Sequence, residues 1–186
     1  MIMQRGNRTE QTVMKAKTEI KAPEKPRRVF VVDKFPIVRM AVAEWLKQTT
    51  DLIVCGEADS PASALQAIPD LKPDIVVTEI LRAQDLGFIQ NLHQQHPGLP
   101  ILVFSFRDEG WYAPLALAAD AHGYLMKGAS IAGLVKGIRQ ALAGRRVVSP
   151  TMRAKLLSKC ARRGYIGLPA RKRRCQHGPP FHRNRG

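Results

Sequence analysis

The sequence predicts an open, doubly wound α/β fold with five parallel strands. Three observations carry this. Five short apolar runs, at 29–32, 52–55, 75–78, 101–104 and 123–126, are rich in β-branched residues and too short for helices. Stretches with helical spacing alternate with them, which is the pattern of a parallel sheet with crossover helices. Four of the runs lead into a single polar residue, Asp33, Glu79, Ser105 or Lys127. In such a sheet, ligand chemistry gathers outside the carboxyl ends of the strands, so these four side chains are expected on one edge.

The elements follow in order. A polar leader over 1–27, with Pro23 and Pro26 near its end, lacks the apolar content for a core and is expected to be disordered. The first strand runs over 28–33. Pro36 opens a helix whose stripe of Ile37, Met40, Ala41, Trp45 and Leu46 reaches about Gln48. The second strand is 52–55. Ser60 and Pro61 form a cap-and-start signal for a helix through Ile68. The third strand ends at Glu79, a helix covers about 86–96, and the fourth strand is 101–105. A helix over about 110–119 precedes the fifth strand at 123–126. Ser130 caps a helix over 131–143 that Gly144 terminates. Right-handed crossovers then give the flavodoxin-like strand order 2-1-3-4-5. Ser149 and Pro150 open a linker-like helix over 149–161. Residues 162–186 have no useful periodicity and read as a disordered basic tail.

The net charge of +15 is uneven. Residues 1–28 carry 8 Lys/Arg against 3 acids, 29–150 carry 11 against 12, and 151–186 carry 11 against none. The folded part is therefore nearly neutral and the basic character belongs to the ends, which suit nonspecific nucleic acid or are simply solvated. No apolar stretch approaches a membrane span, and no secretory leader is visible, so a cytoplasmic protein without membrane contact is the expectation. Cys55, Cys160 and Cys175 form no even disulfide framework, and Cys55 reads as a small buried hydrophobe.

The segments Val32-Asp33-Lys34-Phe35-Pro36, Pro73-Asp74-Ile75-Val76-Val77-Thr78-Glu79, Leu102-Val103-Phe104-Ser105 and Gly123-Tyr124-Leu125-Met126-Lys127 occur in order at domain-like spacing. Over about 28–150 the chain resembles the receiver domain of two-component response regulators, above all those of the NarL/FixJ family. The resemblance implies a (βα)5 receiver domain over 28–148 and a place in signal transduction or transcriptional regulation rather than an enzyme activity. In that family an acid pair after the first strand helps bind Mg²⁺. An Asp ending the third strand accepts phosphate, a Ser or Thr ending the fourth contacts the phosphoryl group, and a Lys ending the fifth pairs with its charge. By resemblance Asp33 matches the first acid, Ser105 the hydroxyl, Lys127 the lysine and Tyr124 the aromatic that switches with the hydroxyl. As a strand tyrosine, Tyr124 equally suits plain burial.

Two positions depart from the pattern. Lys34 stands where the second acid belongs and Glu79 stands at the phosphoacceptor. An ammonium in place of a carboxylate removes a metal ligand and adds a repelling charge, which leaves Asp33 as at most a weak Mg²⁺ ligand and implies no bound cofactor. Glu79 carries its carboxylate roughly 1.5 Å further out. Phosphoryl transfer depends on positioning and charge stabilisation, so both changes weaken it. Two readings of Lys34 stand open, a solvated turn lysine or an ion-pair partner of Glu79 replacing the metal. Lys127 is the other cation available to Glu79. Asp85, after the third strand, is in the wrong register for an acceptor and reads as a solvated loop acid.

The expected role is a phosphorylation-independent interaction module. A still phosphorylatable regulator fed by a histidine kinase is one rival, and a nucleic-acid-binding protein using its basic tail is another. The family also implies a homodimer or protein partner on the face of the fourth helix, fifth strand and fifth helix. Residues after about 161 are too few, too basic and too poor in apolar periodicity for the helix-turn-helix output domain the family often appends, and a remnant of one is a further reading. Cys160, Cys175, His177 and His182 match no zinc-finger spacing. Asp33-Lys34-Phe35-Pro36 lacks the glycines of a dinucleotide-binding loop.

Overall fold

The structure, a computed structural model, describes residues 25–162. Most of the leader, the tail beyond 162, and with it Cys175, His177 and His182, lie outside the described residues. Strands β1 (Arg27–Val32), β2 (Leu52–Ala58), β3 (Ile75–Thr78), β4 (Ile101–Ser105) and β5 (Gly123–Met126) form one parallel sheet in the order β2-β1-β3-β4-β5, as the alternation predicts. Helices α1 (Pro36–Lys47), α2 (Pro61–Leu71), α3 (Leu86–Gln95), α4 (Glu109–Ala118) and α5 (Ile131–Leu142) separate and follow the strands. The chain divides into two compact units, Met1–Val147 and Val148–Gly186. In the second, α6 (Pro150–Arg162) starts where Ser149 Oγ accepts the Met152 N–H at 3.0 Å.

Strand alternation sends each residue set to one face. Val29, Val31, Val77 and Phe104 join Val42 and Leu46 of α1 and Leu134, Ile138 and Ala141 of α5 in one buried cluster. The intervening Phe30, Val76 and Val103 are fully buried too. Both faces are therefore covered, which is why the strands read as continuous apolar runs rather than alternating ones.

Three boundaries differ from the sequence expectation. β2 continues to Ala58 instead of stopping at Cys55, because the pairing slips by one residue between Val29 and Phe30 and Cys55 is taken up in the bulge. Gly56 makes this fit, since a Cβ there would lie 2.5 Å from Leu71 and 2.8 Å from Phe30. α2 runs past Ile68 through Pro69 and ends where Lys72 adopts a left-handed φ of 43° and donates to Ile68 O at 2.9 Å. A 3₁₀ turn (Ala83–Asp85) precedes α3, and Asp85 holds it by accepting the N–H groups of Leu81 at 2.8 Å and Arg82 at 2.9 Å. Asp85 is thus a backbone-binding turn acid rather than a merely solvated one.

β5 sits against the chain that follows α5. Gly123 bridges Val147, and a Cβ on Gly123 would approach Val147 Cβ and carbonyl oxygen to 2.4 Å. Gly123→Ala is expected to destabilise by about 2–3 kcal/mol, as overpacking against backbone does. A urea denaturation curve for the variant checks this, and an unchanged midpoint would contradict it.

Candidate functional site

The polar residues that end the strands do converge. Asp33, Glu79 and Lys127 each lie one residue beyond a strand, yet each continues the ladder. Asp33 N–H donates to Ala58 O at 3.0 Å, Glu79 N–H to Val32 O at 2.9 Å, and Lys127 N–H to Ser105 O at 2.8 Å. The sheet itself therefore fixes the backbones that carry the site.

The Lys127 ammonium forms ion pairs with both Asp33 Oδ2 and Glu79 Oε2. All three side chains are only 3% exposed, so the charges are largely shielded from water. The remaining oxygens are used as well. Asp33 Oδ1 accepts the Phe35 N–H at 2.8 Å, an Asx-type turn that leads into α1. Glu79 Oε1 accepts the Ile80 N–H at 2.9 Å. Each acid thus has a cation on one oxygen and a backbone dipole on the other, the arrangement that makes a buried charge tolerable. Glu79 Oε2 meets Lys127 as an ion pair outside hydrogen-bond alignment. Arg39 adds a guanidinium donor to the Asp33 carbonyl at 2.7 Å.

Ser105 and Tyr124 form a second network behind the cluster. The Ser105 hydroxyl is fully buried; it donates to Ile80 O at 2.9 Å and accepts the Arg107 N–H at 3.1 Å. The Tyr124 hydroxyl, on a fully buried side chain, donates to Arg107 O at 2.8 Å. Burial pushes its phenol up to about 12, well above the ordinary 10.0. Both hydroxyls are spent on the backbone of the loops after β3 and β4.

Lys34 is brought to the site but not into the cluster. It is exposed, has no ion-pair partner among the described residues, and lines the mouth of a cleft of about 560 Å³. Asp33, Asp59, Glu79, Arg82 and Asp85 also line that cleft. Of the two readings of Lys34, the solvated lysine is the one realised. The Asx turn at Asp33 carries the next residue outward, while Lys127 reaches Glu79 from β5.

Sequence reasoning missed Phe106. Its ring centroid lies 5.0 Å from the Lys127 ammonium although the residue is 65% exposed. A cation over an aromatic face gains about 0.5–2 kcal/mol, more as it is desolvated. Its position directly after Ser105 was the available signal.

The chain matches the family described as the response regulator receiver domain over residues 29–139. It is 33% identical over 135 residues to the response regulator GacA of Pseudomonas viridiflava, covering 71% of this chain and 63% of that protein. It is 26% identical to the nitrate/nitrite response regulator protein NarL of Escherichia coli K12, covering 69% and 61%. The chain thus spans under two thirds of the length of these curated relatives. Among solved structures, a LuxR-family two-component response regulator from Aurantimonas superposes with a TM-score of 0.67 at 27% identity, covering 74% of this chain and 99% of that one. The signal receiver domain of a NarL regulator from Mycobacterium tuberculosis superposes at 0.60 with 27% identity, covering 65% and 99%.

Removing the shared cation should cost more than removing one acid. Lys127→Met leaves two buried carboxylates facing each other and is expected to cost about 3–5 kcal/mol. Glu79→Gln leaves Lys127 paired with Asp33 and is expected to cost about 1–3 kcal/mol. Equilibrium unfolding of both variants checks the ranking, and the reverse order would show that Glu79 rather than Lys127 organises the cluster.

Proposed function

The chain belongs to the response regulator receiver family of two-component signalling, and we propose that within it this domain works as a phosphorylation-independent interaction module in transcriptional regulation. One observation carries the reading. The Lys127 ammonium already pairs with Glu79, so the acid at the acceptor position holds a cation without a phosphoryl group. The longer side chain does two jobs, bonding Ile80 N–H and reaching Lys127. The Ser105 hydroxyl, which in the family would meet the phosphoryl group, is engaged by Ile80 O.

The donor set does not fit a divalent cation either. Mg²⁺ requires several oxygen ligands in near-octahedral order. Here one oxygen of Asp33 and one of Glu79 face an ammonium, the others face backbone N–H groups, and the neighbouring acid of the family is Lys34. This supports weak or lost Mg²⁺ binding and a role without enzymatic turnover. A histidine kinase partner belongs to the rival reading in which the domain is still phosphorylated.

Exposed apolar side chains support a partner surface on α4 and β5. Phe106 before α4, Trp111 and Leu115 one turn apart on α4, and Met126 at the end of β5 are 65%, 78%, 47% and 40% exposed. Apolar side chains gathered on a surface mark an interaction site. Arg107 and Asp108 beside them supply both signs of charge, which suits a self-complementary contact with a second copy.

Two outcomes test these readings. The full chain is expected to take up no phosphoryl group from acetyl phosphate with Mg²⁺ by intact mass spectrometry, whereas Lys34→Asp with Glu79→Asp should regain some uptake. A Mg²⁺-dependent adduct on Glu79 in the unaltered chain would establish the phosphorylated regulator instead. Trp111→Glu should abolish self-association in sedimentation velocity while leaving stability within about 0.5 kcal/mol, as for an exposed position. A monomeric parent chain would remove the homodimer and leave a different protein as the partner.

A further inference from the structure

We propose that the outer face of α5 binds the phosphodiester backbone of a nucleic acid through Lys136 and Arg145. Asp120 is the last acidic residue of the 186, so β5, α5 and everything after them lie in a stretch with no carboxylate side chain at all. The charge balance of the folded unit therefore conceals a local excess, with its acids on the earlier elements and cations alone on the later ones.

The geometry concentrates that excess. Lys136, Arg139, Gln140 and Arg145 line a shallow cavity of about 330 Å³ with no acidic residue in its wall. Lys136 and Gln140 are four apart and share a helix face. Gly144, at φ 71°, reverses the chain after α5, and Arg145 N–H then donates to Gln140 O at 2.9 Å. That bond folds Arg145 back beside Gln140. Arg139 is spoken for, because Asp51 takes both its Nε and a terminal nitrogen at 2.7 Å and holds its own carboxyl below the ordinary range in doing so. Lys136 and Arg145 are exposed and have no ion-pair partner among the described residues.

Arg145 stands at the negative end of α5, where a cation has the ordinary role of offsetting free carbonyls. Lys136 lies more than a turn earlier, outside the reach of that effect. A shallow, open wall that carries two free cations and an amide suits a repeating phosphate chain better than an enclosed small anion. It offers no base-reading element, so binding would be independent of sequence. This surface is separate from the apolar patch on α4 and β5 and does not rest on the phosphorylation reading.

The test uses the full chain. Lysine acylation followed by mass spectrometry, with and without a short duplex DNA of arbitrary sequence, should show Lys136 slowed several-fold by the duplex while Lys47 on α1 is unchanged. The variant Lys136→Gln with Arg145→Gln should lower the slope of log K against log salt by about 2, one for each phosphate no longer neutralised. Unchanged Lys136 reactivity alongside protection of Lys155 and Lys172 would place all binding on the basic end and overturn the proposal. Equal protection of Lys136 by polyglutamate would identify an acidic-protein surface instead and overturn the nucleic-acid assignment.

Discussion

One ammonium shared by two buried carboxylates is the interaction on which the functional edge depends. Three strands end in charges that the sheet ladder holds within reach of one another. Without Lys127, Asp33 and Glu79 would stand as like charges in a medium that screens them poorly. With it, the residual negative charge is spread over two backbone donors, Ile80 N–H and the Phe35 N–H of the Asx turn that starts α1. The first helix, the loop after β3 and the end of β5 are thereby tied to a single cation. Phe106 lies over the same ammonium and carries the connection outward to an exposed surface.

The extra methylene of Glu79 explains why the cluster closes so completely. The two oxygens of Glu79 serve both the loop after β3 and the fifth strand. The hydroxyls of Ser105 and Tyr124 donate to loop carbonyls behind the cluster. Glu79, which reads in the sequence as a loss of chemistry, bonds Ile80 N–H and pairs with Lys127, whereas Lys34 stays solvated.

Much of this was legible in the residues. The strand order follows from five alternations and handedness, and the four strand-end positions follow from where the apolar runs stop. What resisted reading involved choices among equivalent residues or breaks in pattern. Lys34 and Lys127 were both cations near Glu79, and only the outward turn at Asp33 decides between them. β2 looked short because Gly56 and Glu57 interrupt its apolar run, yet a bulge absorbs Cys55 and the pairing resumes. α2 was expected only through Ile68, but it continues to Leu71 with Pro69 in its last turn. Phe106 carried a signal in its position, but an aromatic beside a loop has too many ordinary uses to identify from composition. The acid-free stretch after Asp120 was visible in the sequence, whereas its meaning on α5 required knowing that Asp51 neutralises Arg139.

β5 is last in the sheet order and would ordinarily present a bare row of backbone donors and acceptors. Val147 covers part of that row, accepting the Tyr124 N–H at 2.7 Å and donating to His122 O at 3.0 Å. A strand margin occupied by its own chain is a poor template for another molecule's backbone, and this guards against the edge-to-edge growth that leads to aggregation. Along the covered stretch, association falls to side chains rather than to backbone pairing. Such contacts can be made and broken without adding a strand, as a reversible signalling part requires.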